Sequence, residues 1–531
     1  MGNPTATESS RATAGKLSKG KKGTARKDIP QATGVFALPP PRPEYYEESG
    51  LRKVAPYMYT FHSWAKERWQ ERTLIDVYSE FRDRTTEYYE WAIDSGIILV
   101  NNEKSTPDRL LRNGDLISNI MHRHEPPVAA GPIKILYDGR LPGNDGETLV
   151  VEKPGSMPVH PTGRYNFNTL LEILKYDYDL PLVHTSNRLD RLTSGVMICA
   201  LTVDASKKLG AWFGGRRNHE GGVKKEYVAR CYGEFPPHEV VCEEPLLTID
   251  RQIGVNVVHP EGRESKTIFT RLSYDARSHT SVVHCRPITG RSHQIRVHLQ
   301  FLGHPIANDP IYQNTAAWGA SGGKGGVFGE DRGGTAAERD ERRQRGEAFM
   351  ARELEAAAQN GHEDTPPPRF NRSGDLHANY VRTMRTESAD PSAELDRKAH
   401  DLPLSDGAAR AITVLRHVKE ESDGHARARD LEGIERAKRS GTGAIDLSAL
   451  TATSQSDAAA SPEEPSTAAR ASDDDGFCTT CFVPLVPDPR PEQLFIWLHA
   501  MRYTTTEWDW SSELPYWAEE NYEVPLTSIL A

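Results

Sequence analysis

Asn187-Arg188-Leu189-Asp190-Arg191-Leu192-Thr193-Ser194-Gly195 runs directly into the apolar stretch Val196-Met197-Ile198-Cys199-Ala200. The first part is a charged turn and the second a strand. A carboxylate between two guanidinium groups at the mouth of a strand has two readings. It is a loop ion pair, or an ionised group held ready for chemistry, because nearby cations favour the charged form. Charge pattern alone favours the ion pair, so the decision falls to the surrounding segments.

Downstream, Pro287-Ile288-Thr289-Gly290-Arg291-Ser292-His293-Gln294-Ile295-Arg296-Val297-His298-Leu299 is followed by Gly303-His304-Pro305-Ile306, Asp309 and Tyr312. Ile295, Val297 and Leu299 alternate with polar residues as in a strand. His293, Arg296 and Gln300 would equally share one helical face, so the pattern leaves the element open. Either way, two arginines beside three histidines form a cationic patch suited to phosphate or to a buried carboxylate. Neither a carboxylate nor a cysteine completes a metal-ligand set at a familiar spacing there.

Strand-like runs cover Ile133–Tyr137, Leu149–Glu152, Gly195–Leu201, Glu226–Tyr232, Thr267–Leu272 and Thr280–Arg286, with helices at Phe167–Tyr176 and Ala205–Phe213. Several runs alternate, as half-exposed antiparallel strands do, which predicts an α+β domain around a largely antiparallel sheet. Upstream, helical spacing at 73–81 and at Tyr88–Ile93, the latter ending at Ser95-Gly96, precedes the short strand 97–101. Leu111-Arg112-Asn113-Gly114-Asp115-Leu116-Ile117 then supplies a turn and another strand. Two helices and small strands in this order resemble the S4-type RNA-binding module.

The chain has 531 residues, 37% of them hydrophobic, and a formal net charge of −10; its mean hydropathy is −0.62. These values fit folded parts diluted by unstructured ones and argue against a uniformly basic nucleic-acid binder, though not against a local basic groove. We expect a polar tail at 1–45, an extension at 46–71, the S4-like domain at 72–130 and a catalytic domain at 131–325. Residues 326–476, rich in Gly, Ala, Ser and charge, read as a largely disordered insertion with transient helix at 404–437. The catalytic domain resumes at 477–520, before a tail at 521–531. Leu494–Tyr503 is apolar enough to pack back onto the earlier sheet, and deletion of about 335–470 is expected to spare activity.

Six scattered cysteines suit a reducing compartment, and no run reaches membrane-span length. The N-terminal stretch is poor in acidic residues but lacks apolar residues at helical spacing, so cytoplasm, with the nucleus second, ranks above mitochondria.

Asn187–Gly195 together with Thr289-Gly290-Arg291-Ser292-His293-Gln294-Ile295-Arg296-Val297-His298-Leu299 and Gly303–Ile306 resembles the RluA-type pseudouridine synthase family. Three further segments agree, in the family's order. They are Glu152–Pro161 (with Ser156 where Gly is usual), Lys224-Lys225-Glu226-Tyr227-Val228-Ala229, and Gly262–Thr270 with Lys266. The resemblance covers about 133–325 and 477–518. It implies the pseudouridine synthase fold, no cofactor, no metal and no nucleotide cofactor. It also implies Asp190 as nucleophile, Arg296 as its partner with Arg291 the weaker candidate, Tyr227 stacking on uracil and Arg188 filling the gap left by a flipped nucleotide.

RNA contacts are expected at Arg191, Arg291, His293, Lys153, His160, Lys225, Arg82 and Arg84. Many members carry His where this chain has Asn187. Asn187, His122-Arg123-His124-Glu125-Pro126-Pro127, Trp318–Gly326, Cys478-Thr479-Thr480-Cys481 and Leu498–Tyr503 are similar to the eukaryotic tRNA position-32 branch. A monomer acting on tRNA without a membrane partner is expected, at position 32 first and 31 second; ribosomal or messenger RNA and a non-catalytic tRNA-binding role are the alternatives. Cys478-x-x-Cys481 is at best half a zinc site. A deaminase would also need His-x-Glu and a proline before the first cysteine, whereas His259-Pro260-Glu261 lies far upstream and Phe477 precedes Cys478.

Overall fold

The computed structural model describes residues 42–81, 83–214, 222–327, 405–440, 476–520 and 522–524. The first ordered strands, β1 (Tyr45–Glu48), β2 (Leu51–Val54) and β3 (Tyr57–Trp64), lie in the stretch expected to be tail and extension. There Leu51, Val54 and Tyr57 are buried, while most other side chains of the three strands are half-exposed. Helix α1 (Leu74–Tyr78) starts on the Thr73 side chain, which accepts from the Asp76 N–H; α2 (Thr86–Ser95) starts on Thr85 in the same way. Gly96, at φ +81°, ends α2 as the sequence predicts. β4 (Ile98–Val100), β5 (Glu103–Lys104) and β6 (Leu116–Arg123) join β3 in a sheet of order β3-β6-β4-β5, with α1 and α2 over its core. β7 (Val128–Ala129) pairs with β2.

Glu125 anchors this N-terminal part to the catalytic part. Its two carboxylate oxygens accept from the N–H groups of Asn166, Phe167 and Asn168 at 2.8–2.9 Å and from the Tyr57 hydroxyl at 2.6 Å. A carboxylate accepting four hydrogen bonds in this way is fully committed.

The catalytic part follows as β8 (Lys134–Asp138), β9 (Thr148–Lys153), α3 (Leu170–Asp177), β10 (His184–Thr185), β11 (Ser194–Ala200), α4 (Val203–Gly214) and β12 (Lys224–Tyr232). Next come β13 (Val240–Cys242), β14 (Leu246–Asp250), β15 (Val255–Val258), β16 (Thr267–Asp275), β17 (Thr280–Pro287), α5 (Gln294–Phe301) and α6 (Thr315–Trp318). Two helices, α7 (Asp406–Ala428) and α8 (Asp430–Arg439), come from the insertion, and β18 (Leu498–Thr504) and β19 (Asp509–Ser511) follow it.

The main sheet runs β13-β16-β17-β12-β18-β11-β9-β8. All its pairings are antiparallel except β11 with β18. It is the α+β, largely antiparallel architecture that the alternating runs predict. The strand from beyond the insertion does more than pack onto the sheet. It lies between β11 and β12, near the middle. Gly195 makes this approach possible: its φ is +119°, and a Cβ there would sit 2.5 Å from the Ala500 nitrogen.

The insertion is not wholly without structure. Ala408, Ala411 and Leu415 of α7 are buried with Val255, Tyr312 and Trp318. The Ser405 hydroxyl donates to the Val327 carbonyl at 2.7 Å and accepts from the Ala408 N–H. Arg416 pairs with buried Asp250, and Asp430 of α8 with Arg84, at 2.6 and 2.7 Å. The expectation of a largely disordered insertion with transient helix is therefore corrected for residues 405–440, where two helices pack onto the fold. A short apolar stripe on an otherwise polar helix suffices once a matching groove exists. We predict that Leu415→Ala costs about 2–3 kcal/mol, and that deleting 405–440 lowers the thermal midpoint further; equal midpoints for all three proteins would refute this packing.

Candidate active site

Asp190 ends the polar turn before β11, and its carbonyl accepts from the Thr193 N–H at 3.1 Å. Its carboxylate is 42% exposed. Oδ2 lies 3.5 Å from Arg296 Nη1 and 3.6 Å from His293 Nε2. Arg188 and Arg191 stand exposed on either side of it, with the Arg191 guanidinium over the Tyr165 ring at 5.7 Å.

Arg296 sits on α5, so the segment left open between strand and helix is a helix. Its face of His293, Arg296 and Gln300 meets the 309–312 turn. Arg296 makes a bidentate pair with Asp309 at 2.7 and 2.8 Å, and both partners are buried. The Asp309 carboxylate also accepts from the N–H groups of Ile311 and Tyr312 at 3.0 Å. His293 Nδ1 is 2.9 Å from the Tyr312 hydroxyl, and the Gln300 amide donates to the Tyr312 carbonyl at 3.1 Å. The guanidinium is thus fixed by Asp309 and turns its third nitrogen to Asp190. Burial opposes ionisation of Asp309, but Arg296 and the two N–H groups outweigh it and hold the carboxyl below its usual range. Burial, then Arg296, lowers the His293 pKa, so this imidazole is neutral at pH 7.

Tyr227 lies on β12, opposite Ala500 of β18. Its hydroxyl is 2.9 Å from that of buried Tyr503, also on β18. Burial pushes the Tyr227 pKa up to about 12, a hydrogen bond with Tyr503 acting against this and the Asp190 charge adding to it. Asp190 and Tyr227 are therefore close enough to feel each other, across the seam that β18 fills. The sequence assigns no role in the site to Tyr503, Asp309 or Tyr312. Asp309 and Tyr312 stood beside a recognised motif; Tyr503 lies 276 residues from Tyr227, with no local sign of the pairing.

Several expected RNA contacts are spoken for within the protein. Lys153 is fully buried and donates to the carbonyls of Pro154 and Met157 at 2.8 and 2.9 Å; burial lowers its pKa to about 7. It braces the loop next to Asp190 instead of facing RNA. Arg84 is paired with Asp430. Arg291 donates to the Glu264 carbonyl at 3.1 Å. The cationic patch is also smaller than its histidines suggested: burial lowers His298 to about 4 and lowers His304 too. His160 lies 2.9 Å from the Thr185 hydroxyl and, like Lys225, is half-buried; burial lowers the pKa of both, with Arg188 adding to the effect at His160. Arg82 lies outside the described residues.

Asp309→Ala would leave Arg296 buried without its carboxylate, and we expect a loss of about 3–5 kcal/mol. A carboxyl with a depressed folded-state pKa contributes stability that is full above its unfolded value near ~3.9 and fades as pH falls through the folded one. Urea melts should therefore show wild type losing an acid-side contribution that Asp309→Ala lacks; parallel curves would refute the pair's role.

The family model for RNA pseudouridylate synthases matches residues 147–301, the span containing Asp190, Tyr227 and Arg296. A mouse relative, pseudouridylate synthase RPUSD2, is 37% identical over 90% of this chain and 73% of its own length. The tRNA pseudouridine(32) synthase, mitochondrial, of Saccharomyces cerevisiae is 46% identical over 54% of this chain and 60% of its own length. The tRNA pseudouridine(31) synthase of the same yeast is 34% identical over 51% and 74%. The mitochondrial address of the position-32 relative overturns the ranking of cytoplasm and nucleus above mitochondria, which rested on the missing helical spacing at the N-terminus. On the matched family span and the mouse relative together, the chain belongs to the RluA-type RNA pseudouridine synthase family.

Proposed function

We propose that this RNA pseudouridine synthase acts on uridine in the tRNA anticodon loop, position 32 first, with Asp190 as the catalytic carboxylate. The observation that carries the catalytic part is the position of Asp190. An open carboxylate lies beside the one nitrogen of Arg296 that Asp309 does not hold, within electrostatic reach of Tyr227. The reaction breaks the bond between N1 and C1′, turns the base, and joins C5 to C1′; the proton leaves C5 and N1 gains one. Asp190 either adds to C1′ or removes a sugar proton on the way to a glycal. Both routes need it ionised, and the Arg296 guanidinium favours that form.

His293 is neutral in the free protein and adds no second positive charge, so the Asp190–Arg296 contact carries the electrostatics. The Tyr227 ring would take the flipped uracil. With its pKa at about 12, the hydroxyl stays protonated and passes a proton only by accepting one as it gives one up. Arg188, exposed beside Asp190, would fill the gap in the stack, and the substrate itself would exclude water from the open carboxylate. Position 32 stands ahead of 31 because the relative named for 32 is the more similar, 46% against 34% identical. The sheet of β3 to β6 with α1 and α2 would serve as an S4-like RNA-holding module, and the active form as a monomer.

Asp190→Asn should reduce pseudouridine formation on a tRNA transcript to background while tRNA affinity stays within about threefold, the effect of losing a chemical group and not a binding one. Modification at the wild-type rate would remove Asp190 from the mechanism. A transcript with cytidine at position 32 should lose the product; if only loss of uridine 31 abolished it, the position would be reassigned.

A further inference from the structure

The structure assigns the Cys-x-x-Cys motif its missing half: we propose that Cys478, Cys481, His122 and His124 form a structural zinc site. His122 and His124 are two residues apart at the end of β6, a spacing that puts both side chains on one face. The cysteines lie on a tight turn. The Phe482 N–H donates to the Cys478 carbonyl at 2.9 Å, the Cys478 N–H donates to the Val483 carbonyl at 3.0 Å, and Phe482 takes φ +56°. The Thr480 N–H points at Cys478 Sγ from 3.4 Å, the kind of hydrogen bond that steadies a thiolate ligand.

Each of the four side chains offers one ligand atom, and all four atoms lie within 4.8 Å of one another. Cys478 Sγ is 3.4 Å from His122 Nδ1, and Cys481 Sγ is 3.3 Å from His124 Nε2. Zinc–sulfur and zinc–nitrogen bonds of about 2.3 and 2.0 Å in a tetrahedron set ligand atoms roughly 3.3–3.8 Å apart. The cluster is therefore nearly at coordination distance. Two thiols and two imidazoles suit zinc, and four protein ligands leave no open position, which marks a structural and not a catalytic ion. None of these residues belongs to the group around Asp190.

The surroundings show what such an ion would fasten. The histidines belong to the N-terminal sheet, and the cysteines lie 356 residues further on, just before the return to β18. α8 joins at the same place. Arg84 and the Thr85 N–H bind Asp430, the guanidinium groups of Arg429 and Arg436 both lie over the Phe477 ring at 3.9 and 4.3 Å, and Gly433 leaves no room for a Cβ against the Phe482 carbonyl. The ion would clip the N-terminal sheet, the end of the insertion and the approach to the central strand together.

The test is elemental analysis of the full-length chain purified without chelator. We expect one zinc ion per chain in wild type and in Asp190→Asn, and loss of the metal in Cys478→Ser and His124→Ala. To keep the test independent of how these variants fold, wild type stripped by chelator is also titrated with cobalt(II). Tetrahedral d–d bands with a thiolate charge-transfer band support the site. Metal-free protein that gives no such bands overturns it, as does a Cys478–Cys481 disulfide found by mass spectrometry in protein kept under reductant. Because the readout is bound metal, retention of zinc in Asp190→Asn separates failure of this site from failure of the proposed chemistry.

Discussion

The parallel pairing of β11 with β18 is the constraint on which the catalytic half depends. It puts a strand from beyond the insertion between β11, which follows the turn holding Asp190, and β12, which carries Tyr227. Gly195 permits the approach because any side chain would strike the Ala500 backbone. Ser194 and His499, paired in register, reinforce it through a 2.9 Å hydrogen bond, and His499 continues to Ser512 at 2.7 Å. The β11 and β12 strands are thus held in place by the backbone hydrogen bonds both make to β18. Tyr503 on the same strand then holds the Tyr227 hydroxyl.

A second device sets the charge at the site. Burying a guanidinium is costly unless its hydrogen bonds are met. Asp309 meets two of them from a carboxylate that is itself braced by backbone N–H groups. What remains is one directional positive group, placed by a partner that takes no part in contacting Asp190. The carboxylate can stay open to solvent because its cation is anchored elsewhere.

Much of this was legible before any coordinates. The short apolar runs at 133–137, 149–152, 226–232 and 280–286 mark strands because they are too short for buried helices and rich in β-branched residues, and Gly96 marks a helix end. The 294–301 segment was not legible, since Ile295, Val297 and Leu299 alternate while His293, Arg296 and Gln300 share a helical face. The 309–312 turn, which rewards that face, decides for helix. Lys153 and Arg84 look like RNA contacts in a sequence because charge is visible there and burial is not. In the sequence His122 and His124 are only branch markers, for nothing in a linear text connects them to a turn 356 residues away. The three strands up to Trp64 are mostly half-exposed, and no regular alternation of apolar and polar residues marks them.

The place of β18 also governs how the molecule is made. On a ribosome adding ~5–20 residues per second, some 180 residues separate the end of α6 from β18, a delay of roughly 10–40 s. During that interval β11 and β12 have been synthesised but each lacks a neighbour, exposing two unsatisfied strand edges of apolar sequence. Such edges invite pairing with other chains. The cell must shelter a half-closed sheet until its keystone emerges, and the demand for chaperones grows with every residue the insertion gains.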